Sequence, residues 1–248
     1  MGFRWLGAAF AAALAFGPDA ALAAATHVAV AANFTEPAKE IAALFKTQTG
    51  DEAILSFGAS GPLYEQISQG APFQVFLSAD QKRPMQAEKA GLAVPDSEFT
   101  YAVGKLVLWS PSLDVSKGEE ALKAGKFAKL SIANPTAAPY GAAAVETLKA
   151  LKVYAATAPK IVQGASIAQA FQFVETGNAE LGFVALSQLA KVTKGTRWLV
   201  PATLYTPIRQ DAVLLKTGAS NATAKALLAF LKGPQARAVI EKFGYGLE

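Results

Sequence analysis

The sequence predicts an α/β chain folded as two lobes, the first discontinuous and the second continuous. Short apolar runs alternate with helix-length segments that carry one apolar stripe, the pattern of strands and helices packed in a largely parallel sheet. Two long extended runs, 103–109 and 209–215, bracket a middle block of strands and helices and are suited to crossing between lobes. The expected lobes are 25–103 with 211–248, and 104–210.

The first residues are expected to lie outside the fold. Arg4 precedes an apolar run from Trp5 to Phe16, followed by Gly17-Pro18-Asp19 and the A-x-A pattern Ala21-Leu22-Ala23. The run is too short to span a bilayer, so 1–24 reads as a secretory signal peptide and the periplasm as the destination. The chain has no cysteine, which removes a lipid-anchored alternative. What remains is roughly 225 residues, room for one large domain or two lobes of roughly 110 each.

In order, 27–31 reads as a buried strand, and Ala38, Ile41, Ala42 and Phe45 form a helix face that Gly50 closes. A second strand, 53–57, runs into Gly58-Ala59-Ser60-Gly61-Pro62 and a helix to Gly70. Strand 75–77 ends in Ser78-Ala79-Asp80, with a helix out to Gly91. After the first crossing run, strand 130–133 leads through Asn134-Pro135 and Pro139-Tyr140-Gly141 to a helix with Val145, Leu148 and Leu151 on one stripe. Strand 160–163 turns at Gly164-Ala165-Ser166 into a helix from Ile167 with Phe171 and Val174 inward, and 181–184 is a further buried strand. After the second crossing run, Asn221 caps a helix carrying Leu227, Leu228 and Leu231. Gly233-Pro234 breaks the pattern before the last stripe, Ala236, Val239, Ile240 and Phe243.

Composition excludes several chemistries. Without cysteine there is no thiolate metal site or cysteine nucleophile, and the single histidine, His27, supports neither a Ser-His-Asp triad nor a multi-histidine metal site. Gly58-Ala59-Ser60-Gly61 is not a G-x-S-x-G elbow, because the second glycine comes one residue early. The net charge of +4 is spread along the chain, without the basic cluster of a nucleic-acid binder.

Four strand-end turns share one character: Ala32-Asn33, Ala59-Ser60, Pro139-Tyr140 and Ser166-Ile167. Each is small or neutral-polar and opens a helix, where free N–H groups and the positive dipole end favour an anion. Two fall in each expected lobe. Converging across a cleft, they would enclose N–H and O–H donors, with an amide from Asn33 and hydroxyls from Ser60 and Tyr140. None of the four contains Asp or Glu, which favours a fully ionised anion over one that carries its own proton.

The ordered set of segments Ala31-Ala32-Asn33-Phe34, Ser56 to Pro62, Gly70-Ala71-Pro72 through Asp80, Gly104-Lys105-Leu106-Val107, Asn134 to Gly141, Leu181-Gly182-Phe183-Val184 and Leu231-Lys232-Gly233-Pro234 resembles the periplasmic molybdate-binding proteins of ABC transporters. The resemblance covers essentially the whole mature sequence. It implies the type II two-lobe periplasmic binding protein fold, with mixed sheets flanked by helices and two crossing hinge strands. It implies molybdate or tungstate as ligand, no cofactor and no direct metal ligand, and a membrane permease as partner, with no nucleic acid; the protein is expected to be a monomer. It places the oxyanion against Ala32, Asn33, Ser60, Tyr140 and Ile167. Relatives often have serine or threonine where this chain has Ala32, and valine where it has Ile167. Ala185 stands where one branch of the family carries a tyrosine, so Tyr140 is the candidate to supply that hydroxyl. Asn33 is expected to cap its helix as well as bind; Asp80 and Arg209 are assigned cap and hinge ion-pair roles. Two rival readings are a carrier for sulfate, thiosulfate or phosphate and an enzyme built on Ser60 with a lysine base; an effector domain of a transcription regulator is more remote.

Overall fold

The computed structural model describes residues 1–2 and 24–248, so the expected signal peptide falls almost wholly outside the described residues. Along the chain, β1 (Ala25–Ala31), α1 (Thr35–Thr49), β2 (Glu52–Gly58), α2 (Ser60–Ser68), β3 (Val75–Leu77), α3 (Lys82–Lys89) and β4 (Phe99–Gly104) come first. A middle block follows: β5 (Leu106–Ser110), α4 (Gly118–Ala124), β6 (Leu130–Ala133), α5 (Pro139–Ala150), α6 (Tyr154–Thr157), β7 (Ile161–Gly164), α7 (Ile167–Glu175), β8 (Leu181–Ala185) and β9 (Thr196–Leu199). The chain then returns through β10 (Ile208–Leu214) to α8 (Ala222–Lys232) and α9 (Pro234–Lys242).

The strands form two five-stranded sheets, ordered β2-β1-β3-β10-β4 and β7-β6-β8-β5-β9. Each is parallel where strand–helix units build it and antiparallel where a crossing strand joins it. Thus β1 runs parallel to β2 and β3, while β10 is antiparallel to β3 and β4. Likewise β6 is parallel to β7 and β8, and β5 antiparallel to β8 and β9. The first crossing run is therefore not one strand: β4 and β5 lie in different sheets, and the chain changes sheet at Lys105. The elements α4, α6 and β9 carry too little periodic apolar signal to be read locally; α4 buries only Gly118 and Leu122.

The helix stripes bury as their spacing requires. Ala38, Ile41 and Phe45 of α1 pack with Leu227, Leu228 and Leu231 of α8 and with Ala236, Val239 and Ile240 of α9. Gly50, at φ 81°, ends α1 with its N–H on Lys46 O, a conformation that glycine adopts without a Cβ penalty. Asn221 caps α8, its side chain accepting from Ala224 N at 3.1 Å. In the other sheet's core, Leu148 of α5 and Leu151 just past its end are buried, and Val145 packs at the edge.

Beside the crossing strands, Asp211 is 3% exposed and accepts from Thr100 Oγ1 at 2.7 Å and Gln81 Nε2 at 3.1 Å. The Glu98 carboxyl next to it is pushed up from 4.5 to about 7, first by burial, then by its hydrogen bond to Asp211 and the charges of Asp211 and Glu88. The folded state thus holds a proton there that the unfolded chain releases at lower pH. Stability from this group is complete below pH 4.5 and is lost as pH rises through about 7. Glu98→Gln is expected to flatten the melting temperature across that window and to melt above wild type at pH 8; melts that track wild type at every pH would contradict this.

Candidate functional site

Four helix starts meet between the two sheets. Ala32 and Asn33 form a 3-10 turn after β1, and Ser60 is the first residue of α2. Tyr140 is second in α5, behind Pro139, and Ile167 is first in α7. All five line one small cavity, together with Gly58, Ala59, Ala79, Ala138 and Pro139. Their exposures run from 1% to 7%, so all five residues are buried in its wall.

The hydrogen bonding leaves specific donors unspent. At the α2 start, Gly61 N donates to Ala137 O at 3.0 Å, Pro62 has no N–H and Leu63 N donates to Ala59 O, which leaves the Ser60 N–H. At the α5 start, Pro139 has no N–H and Gly141 N donates to Ala138 O, which leaves Tyr140 N–H. Ser166 caps α7 by accepting from Gln169 N, ahead of the Ile167 N–H. Helix geometry orphans these first amides, and the helix dipoles add positive potential where they converge. Ser60 Oγ accepts from Ala79 N at 2.9 Å, so its O–H remains a donor without a protein acceptor among the described residues. No charged residue lines the cavity among the described residues.

One side-chain expectation, the Asn33 cap, is corrected, and Tyr140 has a partner that the sequence did not show. Asn33 does not cap a helix: its Nδ2 donates to Gln210 Oε1 at 2.8 Å and to Tyr245 OH at 3.0 Å, which commits both amide hydrogens. Tyr140 directs its hydroxyl to the crossing strands, where it accepts from Gln210 Nε2 at 3.2 Å and lies over Gly104. A Cβ on Gly104 would fall 2.1 Å from that hydroxyl. Burial, reinforced by the neighbouring tyrosines, raises Tyr140 and Tyr101 well above the usual phenol range, and burial lifts Tyr245 to about 12. The network is therefore uncharged at any physiological pH. Nothing local in the sequence marks Gln210, Tyr245 or Ser187 as its members, because they lie far apart along the chain.

Contacts between the units flank the cavity on both sides. On one, Ser187 Oγ donates to Asn33 O at 2.8 Å and lies 3.0 Å from Tyr245 OH. On the other, Arg83 Nη2 donates to Thr136 O at 3.0 Å while its Nη1 pairs with Asp80. Asp80 also accepts from Arg83 N, and Arg209 pairs with Glu248 at 2.7 Å. A larger open cleft of ≈ 610 Å³ borders this seam, but Asp80, Arg83 and Arg209 on its wall are already paired, and charged side chains rather than neutral donors dominate that wall. The small cavity is the better candidate. Among the described residues no group of three or more His, Cys, Asp or Glu could hold a metal ion, and no helix is long and apolar enough to cross a membrane.

Two α/β units closed over a donor-lined cavity define a protein that engulfs a small solute, the architecture of periplasmic binding proteins. The chain belongs to the bacterial extracellular solute-binding protein family, whose model matches residues 26–246. It is 57% identical over 233 residues to the molybdate-binding protein ModA of Azotobacter vinelandii, covering 92% of each chain. To ModA of Rhodobacter capsulatus it is 56% identical over 220 residues, covering 89% of this chain and 87% of the relative. The solved Azotobacter vinelandii periplasmic molybdate-binding protein superposes with a TM-score of 0.86 at 40% identity, over 90% of this chain and 99% of that one.

Proposed function

We propose that this protein captures molybdate, and tungstate with it, and delivers it to the membrane permease of an ABC transporter driven by a cytoplasmic ATPase. The observation that carries this reading is the convergence of unspent helix-start N–H groups and the Ser60 hydroxyl on one cavity with no carboxylate on its wall. Such a site replaces the water shell of an ion that only accepts hydrogen bonds, and exclusion of water strengthens each contact. A protonated oxyanion would need an acceptor that the wall lacks. The lobes are 25–103 with 211–248, and 104–210, closing on the oxyanion through Ala32, Asn33, Ser60, Tyr140 and Ile167. All but Ser60 act through backbone N–H alone. The protein is exported to the periplasm by its 1–24 leader and works as a monomer, without cofactor or nucleic acid. It is not an enzyme: Ser60 Oγ is bonded to a backbone N–H and lacks the adjacent base that an activated nucleophile needs.

Melting in the presence of molybdate, tungstate, sulfate, phosphate and chromate tests the ligand, because an ion that binds only the folded state raises its melting point. Molybdate and tungstate are expected to raise it most. Titration calorimetry in which sulfate binds as tightly as molybdate would refute the assignment.

A further inference from the structure

We infer that the backbone contact between Gly61 and Ala137 is the mechanical stop that sets the size of the cavity, and that it determines selectivity without touching the ligand. This rests on the reading of the cavity as an oxyanion site.

Gly61 N donates to Ala137 O at 3.0 Å, so the start of α2 and the turn before α5 meet backbone to backbone. A Cβ on Gly61 would lie 3.1 Å from Ala137 O, 3.3 Å from Ala137 Cα and 3.1 Å from Arg83 Nη2. Those distances leave no room for a side chain unless the opposing turn withdraws by a few tenths of an ångström. Both surfaces are stiff. Gly61 sits in the first turn of a helix, and the opposing turn is braced by Asn134, whose Oδ1 accepts from Thr136 N at 3.0 Å and Thr136 Oγ1 at 2.8 Å. Arg83, held by Asp80, bonds the same turn at Thr136 O and keeps the two surfaces together.

The stop is one residue from Ser60 on one side and three from Tyr140 on the other. Its position therefore fixes how far apart the Ser60 and Tyr140 N–H groups stand across the cavity. Molybdate and tungstate differ from sulfate mainly in bond length, by a few tenths of an ångström, the same displacement that one added methyl group would impose. Charge and donor pattern cannot separate these ions, but a fixed separation can.

Gly61→Ala is compatible with a helix start and is expected to leave the ligand-free melting temperature unchanged. By calorimetry its molybdate Kd should rise about tenfold, the factor that 1.4 kcal/mol represents. Sulfate, already too small to reach both walls, should change by less, so the preference narrows. Arg83→Ala, which loosens closure without moving the stop, should weaken both ions by a common factor. Gly61→Ala that binds molybdate normally, or weakens both ions equally, overturns the stop while leaving the site assignment intact. Wild-type protein that binds no tetrahedral oxyanion sinks both.

Discussion

Ser60→Ala is expected to weaken molybdate binding roughly ten- to hundredfold in titration calorimetry. Ser60 is 1% exposed, and its hydroxyl oxygen is held by the Ala79 N–H, which leaves its proton as a donor at the cavity. A hydrogen bond to a charged partner contributes about 1.5–3 kcal/mol, and each 1.4 kcal/mol is a factor of ten. The substitution also strips the buried Ala79 N–H of its acceptor, so the ligand-free protein should melt slightly lower. The Ser60 N–H survives the change, and binding should therefore be weakened rather than abolished. An unaltered Kd would show that the hydroxyl faces away from the anion.

Gly141→Ala is expected to have the largest effect on stability. A Cβ at this position would lie 2.2 Å from Ala133 O, 2.8 Å from Ala133 C and 3.0 Å from Asn134 C. All three are backbone atoms at the end of β6, which cannot turn aside as a side chain would. The start of α5 must lift off the strand, an overpacking cost of roughly 3 kcal/mol. For a chain of this size that lowers the melting temperature by roughly 6–12 °C. The same movement carries off the Tyr140 N–H, so the molybdate-induced rise in melting temperature should also shrink. A variant melting within about 2 °C of wild type would show that the helix start yields more easily than this packing allows.

The donor turns were legible because helix starts leave a local signature. Pro62 and Pro139 stand in first turns where a missing N–H costs nothing, and Ser166 is a side-chain cap; each marks where an orphaned amide begins. The α1, α8 and α9 stripes were equally readable from their spacing. The single extended run at 103–109 was misread, because a change of sheet at Lys105 leaves no mark in hydrophobicity when both flanking strands are apolar. The partners of the Asn33 and Tyr140 side chains were illegible for a related reason. Those partners include Gln210, 177 residues from Asn33 and 70 from Tyr140, and Tyr245, 212 residues from Asn33, separations across which no local pattern acts.

Local chain chemistry thus carried the number and order of the strand–helix units, the turns with spare amides and the absence of charge in those turns. It could do so because periodicity and capping involve residues a few positions apart. Which hydrogens remain for a ligand, and how widely the two walls stand, came only from packing. Those quantities depend on Gly61 meeting Ala137 and on Ser60 meeting Ala79, contacts that exist only once distant segments have been brought together.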